Sequence, residues 1–221
     1  MKRSIPFALS CLLLSVVALS AANRKPLAIG APAPDFALPG IDDKTHRLAD
    51  YKKDVLAIIF TCNHCPTAQA YEERIKKLVD DYRDKGVDII AISPNADKAV
   101  RLDEQGYAIV GDSLEDMKIH AKTFGFNFPY LYDGETQTVA EAFGVIATPH
   151  IYIFDKARKL RYQGRIDDSE KSQNVKTRDG RAALDALLDG RDVAVKETRV
   201  FGCSTKWLEK SAGKGKADNA W

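Results

Sequence analysis

Six consecutive apolar residues, Val55, Leu56, Ala57, Ile58, Ile59 and Phe60, form an unbroken and partly β-branched run, the pattern of a central strand covered on both faces. Behind it Tyr71, Ile75, Leu78, Val79 and Tyr82 recur at spacings of three and four, while Glu72, Glu73, Arg74, Lys76 and Lys77 occupy the other positions. That alternation predicts an amphipathic helix, stopped at Gly86. Residues 87–92, apolar except for Asp88, read as a second strand, so strand, helix and strand come in the order of a right-handed parallel crossover.

Downstream the pattern is weaker. Positions 95–111 mix helical spacing with the break at Gly106 and read as a short helix and loop leading to a small strand at about 107–110. Asp112 and Ser113 can cap a helix reaching about Phe124, and 136–143 is a second short helix. Positions 149–154 and 160–164 read as two strands joined by the polar turn 155–159. A last amphipathic helix spans 178–188 and closes at Gly190. Ahead of all this, Pro26, Pro32, Pro34 and Pro39 impose an extended lead-in, with a short strand near 35–38.

The ends are different in kind. Lys2 and Arg3, the apolar stretch 7–19 and the small residues Ser20, Ala21 and Ala22 have the layout of a secretory signal over 1–22, with Cys11 inside it. An uncleaved anchor is the alternative, since the apolar stretch falls just short of a spanning length. The expected organisation is a signal peptide at 1–22, one α/β domain at 23–190 and a C-terminal extension at 191–221. Beyond Trp207 that extension has too few apolar residues to pack and is expected to be disordered. The expected location is exported, periplasmic or extracytoplasmic. Charge adds one exclusion: 33 basic and 31 acidic residues, intermixed for a net +2, leave no basic stripe for nucleic acid.

The chemistry concentrates at Cys62-Asn63-His64-Cys65, directly behind the first apolar run and ahead of the first helix. A Cys-x-x-Cys pair at a strand-to-helix junction places its first sulfur at the positive helix end, which favours the thiolate that attacks disulfides. Cys62 is the expected exposed nucleophile and Cys65 the more buried resolving thiol. His64, between them, would stabilise the Cys62 thiolate further. Pro66 is tolerated in the first turn of a helix beginning at Cys62. Thr148-Pro149 is the second signal: a cis proline there would expose the Thr148 backbone to pair with a substrate peptide. After removal of a signal, Cys203 is an odd third cysteine, read as a free thiol, an intermolecular bridge, a buried small hydrophobe, or a third thiol delivered when the C-terminal segment folds back.

Ala33-Pro34-Asp35-Phe36-Ala37-Leu38, Leu48-Ala49-Asp50-Tyr51-Lys52, the strand ending in Phe60 with Cys62-Asn63-His64-Cys65-Pro66, and Thr148-Pro149 together resemble the TlpA-like and alkyl hydroperoxide reductase/thiol-specific antioxidant (redoxin) branch of the thioredoxin superfamily. The resemblance runs from about Ile29 to Asp168. It implies a thioredoxin-like α/β fold with a central mixed β-sheet flanked by helices, a cis Pro149 facing the dithiol, and thiol-disulfide exchange at Cys62 and Cys65. Two positions depart from the pattern. Thr61 stands where these families commonly carry Trp, and Leu56 stands where thioredoxin has a buried acid. The Asn-His pair between the cysteines is nearer to that of oxidising exported oxidoreductases.

Three rival chemistries use the same sulfurs. A structural zinc site wants four ligands, which Cys203 and His150 could complete only through fold geometry. Cu(I) suits two thiolates and an imidazole, giving a non-enzymatic copper carrier. Cys65-Pro66-Thr67 echoes a peroxidatic cysteine, giving a peroxiredoxin-like antioxidant peroxidase, although Cys62 replaces the usual threonine. His150 is read equally as a packing or a functional residue, His46 and His120 carry no expected role, and Gly164-Arg165-Ile166-Asp167-Asp168 is either a partner-binding stretch or a charged strand end. The reading that absorbs most residues is a thiol-disulfide oxidoreductase with no cofactor and no metal. Its substrate is a disulfide-bearing or dithiol protein, and a reductive direction would add a membrane redox partner.

Overall fold

The computed structural model describes residues 25–105 and 108–208. A small antiparallel hairpin, β1 (Ala37–Pro39) with β2 (Thr45–Arg47), precedes the central strand β3 (Val55–Phe60). Then come α1 (Pro66–Tyr82), β4 (Val87–Ser93), the one-turn α2 (Leu102–Gln105), α3 (Leu114–Thr123) and β5 (Tyr130–Tyr132). The second half holds α4 (Thr138–Phe143), β6 (Ala147–Thr148), β7 (His150–Phe154), β8 (Leu160–Gly164), α5 (Asp179–Leu188) and β9 (Cys203–Ser204).

The main sheet has five strands in the order β5-β4-β3-β7-β8. β3, β4 and β5 run parallel, and β7 and β8 continue the sheet antiparallel. This mixed sheet with helices on both faces is the expected thioredoxin-like α/β fold. All six β3 side chains are buried, as the unbroken apolar run requires. Alternate residues face opposite layers. Ala57 and Ile59 join Tyr71, Ile75, Leu78 and Tyr82 of α1 and Leu184 of α5. Leu56, Ile58 and Phe60 join Val139 and Phe143 of α4. Each large side chain so enclosed contributes roughly 1.5–3 kcal/mol from burial.

Parts of the fold differ from the sequence reading. Residues 108–110 form an irregular turn where a strand was expected, and the rest of that expected strand, Tyr107, lies outside the described residues. The third parallel strand is β5, only three residues long, which gave too short an apolar signal to read. Glu72, placed on the polar face of α1, is buried, because His120 Nε2 of α3 stands 2.6 Å from its carboxylate. A buried carboxylate with such a partner is satisfied where an unpaired one would be costly.

Residues 191–208 pack back onto the domain. The Gln163 amide donates to the Lys196 carbonyl and the Thr198 amide to the Gln163 carbonyl. β9 pairs antiparallel with β6, and Trp207 is buried in the β3–α4 core layer. The expected signal segment 1–22 falls outside the described residues, as does the expected disorder beyond Trp207 except at Leu208, whose amide donates to Gln137 Oε1 at 3.0 Å. Among the described residues, no helix is long and apolar enough to cross a membrane.

Candidate active site

Residues 61–65 connect the buried end of β3 to α1, and their geometry departs from the expected helix start. Cys65 is extended, with φ −79° and ψ 119°, and serves as the N-cap of α1; Pro66 is the first helical residue. The residue before a proline is pushed out of the helical region, so the helix cannot begin at Cys62. The Cys65 sulfur instead accepts from the Ala68 amide at 3.5 Å. Cys62 therefore sits in the approach loop, and it is buried at 3 % exposure, not exposed as expected.

Both cysteines meet at Thr148, the residue before the cis Thr148–Pro149 peptide. Cys62 Sγ is 3.1 Å from Thr148 Oγ1, and Cys65 Sγ is 3.6 Å from the Thr148 carbonyl oxygen. The disulfide, however, joins Cys65 to Cys203, across 138 residues and a Cα separation of 5.9 Å, while Cys62 is a free thiol. The odd cysteine is thus neither a free thiol nor an intermolecular bridge. The β9–β6 pairing, in the register Thr148 to Cys203, brings it there.

His64 and its surroundings hold the residue that sequence reasoning missed. Asp112, fully buried, accepts from the Asn63 and His64 backbone amides at 2.9 and 3.1 Å through Oδ1. Its Oδ2 lies 2.6 Å from His64 Nδ1 and accepts from Asn95 Nδ2 at 2.8 Å. Burial alone would raise the Asp112 carboxyl, but these hydrogen bonds, led by His64, hold it below the usual carboxylate range. A carboxylate only accepts, so the His64 ring proton sits on Nδ1. His64 Nε2, also buried, has no hydrogen-bond partner among the described residues. The sequence marked Asp112 only as a helix cap, whereas Ser113 performs that task by accepting from the Asp116 amide.

This surrounding reverses the expected activation of Cys62. Burial pushes its thiol far up, and the nearby Asp112 charge pushes the same way; the Thr148 hydroxyl opposes both without overcoming them. Cys62 is a protonated thiol at neutral pH. The cluster also bears on metal binding: a sulfur of Cys62, a ring nitrogen of His64 and an oxygen of Asp112 lie within 4.8 Å of one another. Asp112 already accepts four hydrogen bonds, two at each oxygen, and Cys65 is bonded to sulfur, so neither is free as a ligand. His150 does not belong to this group. Its ring lies tilted against Tyr152 with centroids 4.2 Å apart, and burial lowers its pKa to about 3. The Asp167 of the charged strand end is an internal partner, bound by Tyr71 and Arg74.

The sequence model of the AhpC/TSA family matches residues 29–163, a span that contains both Cys62 and Cys65 and the Thr148–Pro149 peptide. The chain belongs to the AhpC/TSA family. Within the known structures, an uncharacterized conserved protein from Geobacillus kaustophilus is 42 % identical, with a TM-score of 0.72 over 81 % of this chain and 92 % of that one. The thiol-disulfide oxidoreductase ResA of Geobacillus thermodenitrificans is 27 % identical over 139 residues, 63 % of this chain and 70 % of its own. A candidate thiol:disulfide interchange protein DsbE from Chlorobium tepidum shares the fold, with 19 % identity and a TM-score of 0.54 over 74 % of this chain and 97 % of that one. Cys203 lies 40 residues beyond the end of the family match at 163.

Proposed function

We propose that this AhpC/TSA protein is a thiol-disulfide oxidoreductase working through Cys62 and Cys65 on disulfide-bearing or dithiol proteins, with Thr148 and Pro149 forming the substrate edge. The observation that carries this reading is the convergence of both sulfurs on Thr148 beside a cis proline, with one of them already in a disulfide. The likeness to ResA supports the same class of reaction. Once the Cys65–Cys203 bond has been reduced by a donor thiol, the Cys62 thiol loses its proton and attacks one sulfur of a substrate disulfide, expelling the other as thiolate; Cys65 then attacks Cys62 Sγ, releasing the substrate as a dithiol and leaving a Cys62–Cys65 disulfide. A ring nitrogen of His64 lies within 4.8 Å of the Cys62 sulfur, which makes this imidazole the group to take the Cys62 proton.

The protonated Cys62 favours the reductive direction. A thiol of high pKa is a poor leaving group, so a disulfide that includes Cys62 is hard to reduce and the reduced pair is the stronger electron donor. This argues against the oxidising tendency expected from the Asn-His pair, and the potential decides between them. In the exported location proposed from residues 1–22, such a reductant needs recharging by an external, membrane-held donor.

Redox-buffer titration of the Cys203→Ser protein tests the reading directly. A reversible Cys62–Cys65 disulfide with a potential near or below about −270 mV is expected. If no reversible disulfide forms, the reading fails.

The Cys65–Cys203 bond gives specific support to a second reading, a peroxidase in which Cys65 attacks peroxide, becomes a sulfenic acid and condenses with Cys203 to expel water. Dithiothreitol-dependent peroxide consumption that vanishes in Cys65→Ser but persists in Cys62→Ser would select it. The full burial of Cys65 weighs against it.

A further inference from the structure

The chain places at its own redox site the two things a bound substrate would bring. One is an extended backbone on the residue before cis Pro149: β9 pairs with β6 in the register Thr148 to Cys203 and Ala147 to Ser204. The other is a sulfur bonded to a site cysteine, Cys203 to Cys65. Gly202 makes the approach feasible. Its φ of +137° is one that side-chain-bearing residues rarely adopt, and a Cβ there would overlap the Thr148 carbonyl oxygen.

Exposure separates the three cysteine residues. Cys62 is 3 % exposed and Cys65 fully enclosed, whereas the Cys203 residue is partly open to solvent. An external thiol or disulfide therefore meets Cys203 first. The segment is fixed on either side of it. Upstream, Tyr162 OH and Thr198 Oγ1 are 2.7 Å apart and the Arg165 amide donates to the same hydroxyl. Downstream, the Lys206 carbonyl accepts from the Ala96 amide and from Gln137 Nε2, and the Lys206 amide donates to Asn95 Oδ1.

We propose that Cys203 is a third redox-active cysteine, the sulfur through which partners exchange, and that the C-terminal strand is an internal substrate of the Cys62 and Cys65 site. The proposal rests on the thiol-disulfide reading above. A partner thiolate attacks Cys203 Sγ, the Cys65–Cys203 bond breaks, and Cys65 departs as thiolate and takes up a proton. The partner's second thiolate then attacks the partner sulfur of the mixed disulfide and expels Cys203. The partner leaves oxidised by two electrons, and the protein holds three thiols; the reverse sequence reduces a partner disulfide. Attack of Cys62 on Cys65 Sγ with Cys203 leaving moves the bond inward without net electron transfer. One disulfide thus alternates between an outward pairing, Cys65–Cys203, and an inward pairing, Cys62–Cys65.

The test uses the full chain and oxidised glutathione as the probe. In Cys65→Ser, where Cys62 and Cys203 are both free, mass-spectrometric mapping should find glutathione on Cys203 at least tenfold faster than on Cys62; faster labelling of Cys62 overturns the proposal. Gly202→Ala keeps all three sulfurs but obstructs the β9 approach. It should shift the mapped disulfide of the oxidised protein toward Cys62–Cys65 and slow its reduction by dithiothreitol at least fivefold. An unchanged map and rate in that variant overturn the proposal. Cys203→Ser separates the two levels of the argument. If it cycles a Cys62–Cys65 disulfide with glutathione as fast as wild type, the internal substrate is refuted and the oxidoreductase reading stands. If neither it nor wild type forms any intramolecular disulfide, both fall.

Discussion

His64 Nδ1 and Asp112 Oδ2 meet at 2.6 Å with both side chains withdrawn from solvent, and the same carboxylate raises the pKa of the neighbouring Cys62. One acid thereby orients an imidazole and suppresses a thiolate. The two effects separate in Asp112→Asn, which keeps an oxygen for the Asn63 and His64 amides but removes the charge. In a Cys65→Ser, Cys203→Ser background, the pH midpoint for iodoacetamide alkylation of Cys62 should fall when the charge is removed. An unmoved or raised midpoint would show that Asp112 does not set the Cys62 pKa.

A linked effect on stability follows from Cys62. Its folded pKa lies above the ordinary thiol value, so the stability it contributes is fully present below about pH 8.5 and is lost as pH rises beyond it. Urea unfolding of the reduced protein between pH 7 and 10 should show a decline that is shallower in Cys62→Ala.

His150 acts at the opposite end of the scale. Its folded pKa of about 3 lies below the ordinary 6.5, so the unfolded chain binds a proton that the folded one refuses, and stability is lost as pH falls from 6.5 toward 3. Asp133 opposes this: burial lifts its carboxyl to about 6, so its contribution is greatest below 3.8 and fades as pH rises through 6. The difference between wild type and His150→Gln isolates the histidine. Between pH 7 and pH 4 the wild type should lose up to about 3 kcal/mol more than the variant, measured by urea denaturation.

Arg74 holds structure rather than chemistry. Its Nη1 donates to both oxygens of Asp167 at 2.8 Å, and its guanidinium lies 3.5 Å above the Tyr71 ring. Arg74→Ala leaves Asp167 short of its cation and should cost about 2–3 kcal/mol, lowering Tm by roughly 5–10 °C. The redox potential should stay as in wild type. A changed potential would place this network in the site after all.

Trp207 reports on the C-terminal segment. It is buried in the β3–α4 core layer, and the neighbouring Lys206 is held on Ala96, Asn95 and Gln137. Cleaving the Cys65–Cys203 bond should therefore leave it in place. In Trp221→Phe, reduction should move the emission maximum by no more than about 3 nm. A large red shift would mean that the disulfide alone holds the segment down.

The frame of the fold was legible where one property dominated a stretch: the apolar run of β3, the three-and-four spacing of α1, the turn between β7 and β8. The two cysteines and the Thr148–Pro149 pair were legible because adjacency and type carry their meaning. What stayed hidden depends on contacts between distant segments. Asp112 reads as a cap because its real partners, the Asn63 and His64 amides, lie 49 and 48 residues away. Cys203 reads as a spare cysteine because β9 is two residues long and its pairing depends on a single glycine conformation. The exposure of Cys62 was misjudged for a local reason: Pro66 delays the helix, and the loop left behind folds inward onto Asp112.

A strand supplied by the same chain competes on terms that no free peptide enjoys. Covalent continuity keeps β9 beside β6 at an effective concentration of the order of millimolar, whatever the abundance of partners outside. A peptide present at micromolar levels would need about a thousandfold better intrinsic fit to share that edge equally. The tether thus acts as a threshold on affinity, admitting strong or sulfur-reactive partners and turning away the weak extended segments that an open sheet edge would otherwise collect.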